Sequence, residues 1–235
     1  MKRQAFVLEP ILVDTYIHVL ASDEESLALV DRGMLADQVD TLNQDFWPSD
    51  ISFALVDSKW TVDPKFATLN SVAAVQAMQD KYNEGDEATL NIYVVSEINV
   101  SLNNTDCGTP NNSSTAGITE LPEGGLLGIS SLPWNLVDNS GWSNAVIIKA
   151  ETLPRYLVAI AYETPRLGKT ATHEVGHWFG LFHTFDDDCD PLFGDFVADT
   201  PQSAGPTNGC PVWRDSYPDK PGLDPVHNYM DYSSE

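Results

Sequence analysis

Hydrophobic positions recur with two different periods along the first two thirds of the chain. Ile11–Leu20 is dense in β-branched and aromatic residues and predicts a strand. Ser22-Asp23-Glu24-Glu25 fits a capping box, with Ser22 as N-cap and Glu25 reaching back. Beyond it Leu27, Val30, Leu35, Val39 and Leu42 fall at roughly helical spacing, which predicts one amphipathic helix over Asp23–Asn43. Ile51–Asp57 alternates Ile51, Phe53 and Leu55 with Ser52 and Ala54, a half-buried strand. Ser71–Asn83 returns to the helical period, with Gly85 near its end, and Thr89–Val95 alternates again.

From Ser96 to Gly125 the residues turn to Asn, Ser, Thr, Gly and Pro, which predicts a long surface loop. Leu126–Ile129 and Ala145–Ala150 are short strand candidates, and Lys169–Phe179 is a third helix. After His183 periodicity disappears into a Pro- and Gly-rich segment that still carries buried-type residues. Such a segment needs outside help to stay ordered, and metals or disulfides are the usual suppliers. The predicted outline is a mixed α/β lobe over residues 1–183 and a small irregular lobe over 184–235, with a helix at the join.

Charge narrows the function classes. The 235 residues hold 12 Lys plus Arg against 35 Asp plus Glu, a formal net charge of −23. A surface of that sign repels phosphate backbones and anionic lipid heads, so nucleic acid and membrane surfaces are excluded as partners. No apolar run reaches the roughly 18–20 residues of a membrane span. Lys2 and Arg3 precede only Ala5–Leu8, short of the about 7–15 apolar residues of a complete signal peptide. Asn-x-Ser/Thr sites at Asn99, Asn103, Asn111 and Asn112 favour a secreted loop. Three cysteines, Cys107, Cys189 and Cys210, are too few for a disulfide scaffold.

The informative stretch is His173-Glu174-Val175-Gly176-His177-Trp178-Phe179-Gly180-Leu181-Phe182-His183. Residues i and i+4 share a helix face, so His173 and His177 can present imidazole nitrogens to one ion. Glu174 sits beside that stripe, where a general base can act on water polarised by the metal. Six further residues of helix would carry His183 about 120° away from His177. The chain must therefore leave the helix, and Gly180 is the residue able to turn it. Three neutral nitrogens with one open position describe a catalytic zinc site. Accidental histidines on a helix are the alternative, but the full pattern has a chance expectation of about 10⁻⁵ in a chain of this composition. Gly168-Lys169-Thr170 mimics the end of a phosphate loop, yet Glu163 stands where its partner glycine belongs.

His-Glu-x-x-His-x-x-Gly-x-x-His, followed by His227-Asn228-Tyr229-Met230-Asp231-Tyr232, resembles the metzincin clan of zinc endopeptidases. Gly124–Gly128, Gly168–Thr172, His183-Thr184-Phe185, Asp199-Thr200-Pro201, Gly209-Cys210-Pro211 and Gly222–Pro225 narrow the resemblance to the pappalysin (pregnancy-associated plasma protein-A) family. The resemblance implies a metzincin-like α/β (α+β) fold: a twisted mixed sheet, two backing helices, an active-site helix, and an irregular lobe with a Met-turn. It implies Met230 as a hydrophobic floor under the zinc. Tyr232 is either an oxyanion donor or a structural tyrosine. Leu126, Leu127 and Gly128 match the edge strand that aligns extended substrate.

It also implies secretion, protein or peptide substrates, and calcium held by Asp195 and by Val197 and Thr200; the oligomeric state stays open, a monomer being the expectation. The acidic stretch from Asp186 to Asp199 is otherwise a solvated loop. His227 and His18 read as scaffold histidines. The family's usual partners for Cys189 and Cys210 are missing: Tyr217 replaces one, and the sequence ends at Glu235 before the other and before the customary C-terminal helix. Cys189 and Cys210 could instead pair with each other. Two functions from different classes remain at this point: a zinc endopeptidase with Glu174 as base, or a catalytically weak zinc- and calcium-stabilised protein-binding module of the same fold. A binding module has no need of Glu174.

Overall fold

The computed structural model describes residues 9–100, 118–121, 125–134, 144–156, 167–185, 195–207 and 209–233. A six-stranded sheet forms its frame. In chain order the strands are β1 (Ile11–Ala21), β2 (Ile51–Val62), β4 (Leu90–Val95), β6 (Ile118–Leu121), β7 (Gly125–Ser130) and β8 (Val146–Lys149). Two-residue strands β3 (Thr68–Leu69) and β5 (Glu97–Ile98) pair separately. The order across the sheet is β2-β1-β4-β8-β7-β6. The first four strands are parallel, while β7 runs antiparallel to β8 and β6 antiparallel to β7. The chain is thus α/β with a mixed sheet, as the motifs implied.

Helices cover both faces. They are α1 (Glu24–Leu27), α2 (Arg32–Phe46), α3 (Pro64–Ala67), α4 (Val72–Tyr82) and α5 (Lys169–Trp178). One core joins Val13, Ile17, Ile92, Val94, Val146 and Ile148 of the strands to Leu35, Val39 and Leu42 of α2 and Ala171 and Val175 of α5. The other joins Tyr93, Val95 and Ile147 to Val75 and Met78 of α4. Alternate residues of β4 and β8 therefore face opposite cores. This is why β4 is buried at all six positions rather than half-buried: a parallel strand between two helical layers has no wet face.

The helix expected over Asp23–Asn43 is two helices. Asp23, not Ser22, caps α1 by accepting from the Ser26 amide at 2.8 Å, and Asp31 caps α2 by accepting from Met34 N at 2.9 Å. Between them Val30 is buried with the α2 face, so the periodicity runs on through a break in the backbone. The second strand extends past Asp57 to Val62 by way of a register shift against Thr15/Tyr16. Within the stretch expected to be one loop, β5 and β6 are present. Asn99 is exposed; Asn103, Asn111, Asn112, Cys107 and Cys189 lie outside the described residues.

Past His183 the described residues contain no helix or strand. Buried carboxylates organise part of this segment. Asp224 accepts from Ser216 N at 2.9 Å, Ser216 Oγ at 2.9 Å and Ser203 Oγ at 3.3 Å, and pairs with Arg214 at 3.1 Å. Asp231 accepts from the amides of Thr207 (3.0 Å) and Tyr232 (2.8 Å). Side chains thus supply part of the order for which metals or disulfides were the expected source.

Candidate active site

Helix α5 lies against β7 and β8 and is buried along Ala171–His177. Its start is fixed by Gly168, whose backbone is left-handed (φ 76°) and whose carbonyl accepts from Gln38 of α2 at 2.9 Å. A side chain there would collide with Gln38 and Pro154. Its end is a Schellman motif: Gly180 takes φ 95°, its amide donates to the His177 carbonyl at 2.7 Å, and Leu181 N donates to Gly176 O at 3.0 Å. The expected departure from the helix at Gly180 therefore occurs, and it returns the chain so that His183 faces the other two histidines.

The three Nε2 atoms form a tight triangle. His177 lies 3.0 Å from His173 and 3.1 Å from His183, and His173 to His183 is 3.3 Å. Two of the opposite nitrogens are occupied by carbonyls: His173 Nδ1 meets Tyr229 O at 2.6 Å, and His177 Nδ1 meets Leu181 O at 2.7 Å. A carbonyl can only accept, so in both rings Nδ1 carries the hydrogen and Nε2 presents a lone pair. Burial, then the neighbouring His183, pushes His173 down to about 3. Burial likewise pushes His177 well below its ordinary value, with both other imidazoles adding to the effect. Both rings stay neutral across the physiological range. Two nitrogens bound to one tetrahedral zinc at about 2.0–2.1 Å would stand ~3.3 Å apart, so the triangle matches a single ion. Among the described residues this is the one His/Cys/Asp/Glu group able to hold a metal.

Glu174 is fully buried and projects toward β7. A Cβ placed on Gly128 would sit 2.6 Å from Glu174 Oε1 and 2.7 Å from its Cγ, so the carboxylate rests on bare backbone. Met230 is buried beneath α5, where a Cβ on Gly176 would overlap its sulfur. Its carbonyl accepts from Thr184 N at 3.2 Å, tying the segment after His183 to the Met230 turn. Tyr232 packs against His183 (4.9 Å between ring centres) and Phe185 (4.9 Å). Phe185 in turn stacks on His183 at 4.8 Å with a 6° tilt.

One expectation needs correcting. Leu126, Leu127 and Gly128 do not lie on the sheet's edge, because β6 pairs along the flank of β7 through Ile118–Ile129, Glu120–Leu126 and Leu121–Gly125. The reason is a short β-prone run, Ile118–Leu121, hidden in a polar, turn-rich stretch. Asp195 is buried, its Oδ1 accepts from Val197 N at 3.0 Å, and the Val197 carbonyl accepts from Thr200 N at 3.2 Å. Asp186, Asp187, Asp188 and Asp190 lie outside the described residues. His18 is a buried strand residue bonded to Asn91 at 3.0 Å, and His227 is exposed. Cys210 is exposed. Gly128 was expected as part of a substrate strand, and its close approach to Glu174 was not; the packing of Gly176 on Met230, the stacking of Phe185 on His183 and the two carbonyl partners also went unforeseen.

A histidine triad gathered by one helix and the turn that follows it, with an adjacent buried glutamate, on a mixed α/β sheet, defines a metalloendopeptidase. Residues 118–235 match the family model described as pregnancy-associated plasma protein-A. The chain is 37% identical over 224 residues to an extracellular metalloprotease of Colletotrichum graminicola, covering 95% of this chain and 69% of the relative. It is 38% identical over 225 residues to extracellular metalloprotease 1 of Coccidioides posadasii, covering 95% and 70%. The chain belongs to the pappalysin, or pregnancy-associated plasma protein-A, family of metalloproteases. Its fold is shared with mirolysin (TM-score 0.68, 23% identity, 97% of this chain and 86% of that one) and with a promirolysin variant of Tannerella forsythia (TM-score 0.66, 20% identity, 97% and 75%). Among the described residues no helix is long and apolar enough to cross a membrane.

Proposed function

We propose that the chain is a secreted zinc endopeptidase in which His173, His177 and His183 hold the metal and Glu174 moves the protons of peptide hydrolysis. The observation that carries this reading is the convergence of three Nε2 atoms within 3.3 Å, two of them on rings whose Nδ1 hydrogens are already spent on carbonyls. Bound zinc supplies a Lewis acid that polarises water and the scissile carbonyl. Glu174 accepts a proton from the attacking water and delivers it to the nitrogen of the leaving amine. Its burial against Gly128 fixes the carboxylate and limits its rotamers. Tyr232, packed on His183, is the donor to the developing oxyanion. Met230 forms the floor, and Gly180 is the hinge that delivers His183.

Secretion follows the relatives, whose names are those of extracellular proteases. Calcium at Asp195, the Val197 carbonyl and Thr200 belongs to the same proposal, supported by the buried carboxylate and the turn that gathers these groups. The protease assignment is tested with zinc-loaded chain on denatured protein and a peptide library. Internal cleavage that 1,10-phenanthroline stops is expected. Folded, zinc-loaded chain that cuts neither substrate would refute it.

A further inference from the structure

Helix α2 ends on a carboxylate in an unfavourable place. Asp45 lies in its last turn, where the helix dipole opposes negative charge. Its side chain is only 6% exposed, in a chain of net charge −23. Four bonds compensate. Lys169 Nζ donates to Oδ1 at 2.6 Å and Oδ2 at 2.9 Å, Thr172 Oγ1 donates to Oδ2 at 2.6 Å, and the Tyr229 hydroxyl donates to Oδ1 at 2.9 Å.

These donors come from two elements that meet at the same imidazole. Thr172 directly precedes His173 on α5. Tyr229 directly precedes Met230, and its carbonyl accepts the His173 Nδ1 hydrogen at 2.6 Å. Tyr229 is therefore held at both ends: its hydroxyl by Asp45, its carbonyl by His173. A buried ion pair adds little net stability over apolar packing of the same volume. What this cluster adds is a fixed relation between the first turn of α5 and the Tyr229 segment.

We propose that Asp45 is a positioning residue for the metal site, clamping Lys169 and Thr172 of α5 and Tyr229 of the turn so that the His173 Nε2 lone pair is aimed at the ion. The proposal rests on the reading of the three histidines as zinc ligands. Groups that orient a ligand's far nitrogen typically change metal affinity about 10–100-fold when removed.

The test titrates zinc into wild type, Asp45→Asn, Tyr229→Phe and the double variant against a chromogenic chelator, with a melting curve for each zinc-free chain. Both single variants should bind one zinc, about 10–100-fold more weakly than wild type. The double variant should lose no more than the weaker single variant, because both changes cut one chain of contacts. Wild-type zinc affinity in the folded single variants overturns the proposal, whatever the melting temperatures do, and so does an additive loss in the double variant. If Asp45→Asn does not fold, Tyr229→Phe decides, since it keeps the ring and the carbonyl. Wild type that binds no stoichiometric zinc would bring down the metal-site reading itself, and the proposal with it.

Discussion

Gly128→Ala is the substitution that most selectively probes how Glu174 is held. The added methyl would lie 2.6 Å from Oε1, 2.7 Å from Cγ and 2.9 Å from Cδ of Glu174. Carbon contacts settle near 3.5 Å, so the carboxylate must retreat by roughly 0.8 Å. Glu174 has no exposed surface into which to swing. A misplacement of about 1 Å at a reacting group costs on the order of 10²-fold in rate. The expected result is a fall of kcat/KM by about 10²-fold on a quenched peptide, with most of the loss in kcat. No histidine contact is touched, so zinc stoichiometry should remain one and zinc affinity should stay within about twofold. Gly-to-Ala changes at unstrained positions also reduce unfolded-state entropy, worth about 0.4–1 kcal/mol, which offsets part of the crowding, and a melting curve reads whether the variant is folded. A variant with near wild-type kcat would refute the placement of Glu174 on Gly128. A variant that loses activity by losing zinc would refute the separation of proton transfer from metal binding.

Tyr232→Phe should lower kcat about 10–10³-fold with KM little changed, in steady-state kinetics on the same peptide; a loss of melting temperature alone would make the tyrosine structural. In the zinc-free chain, burial depresses His18, His173 and His177, His173 to about 3 against an ordinary 6.5. Between those values the unfolded chain binds more protons, so stability is fully present above about pH 7 and falls as pH drops through 6.5. The slope is up to about 1.4 kcal/mol per pH unit for each histidine. Urea unfolding from pH 7.5 to 5 checks this, and a flat profile contradicts it. A calcium-selective chelator that leaves zinc in place should lower the melting temperature and increase nicking in residues 186–225; an unchanged melting temperature removes the calcium proposal.

The elements legible in the sequence were those whose pattern and boundary signals agree. Ser71 caps α4 through its hydroxyl, 3.2 Å from Ala74 N, and the histidine pair marks α5 along its length. Helix α1–α2 misled because Val30 stays buried across the break, so side-chain periodicity outlasts the helical backbone. Two adjacent cap-capable residues, Ser22 and Asp23, left the first boundary open by one position. The three converging histidines were legible because i, i+4 geometry and one glycine-mediated turn are local facts. Asp45 was not, since an acid at a helix end reads as solvated until α5 and Tyr229 fold against it. Nor was Gly128: a strand glycine announces close approach but not which side chain approaches. The pairing of β6 with β7 depends on a four-residue run whose partner only the hairpin supplies.

The central claim, that three histidines hold metal while Glu174 moves protons, is tested most directly by comparing Glu174→Ala with His183→Ala for bound zinc and for peptide hydrolysis. Glu174→Ala removes no ligand, so it should retain one zinc per chain while hydrolysis falls to background. His183→Ala should weaken zinc affinity by orders of magnitude, with activity lost for want of metal and partly restored by excess zinc. Glu174→Ala that hydrolyses peptide at the wild-type rate, or His183→Ala that keeps tightly bound zinc, would contradict the account.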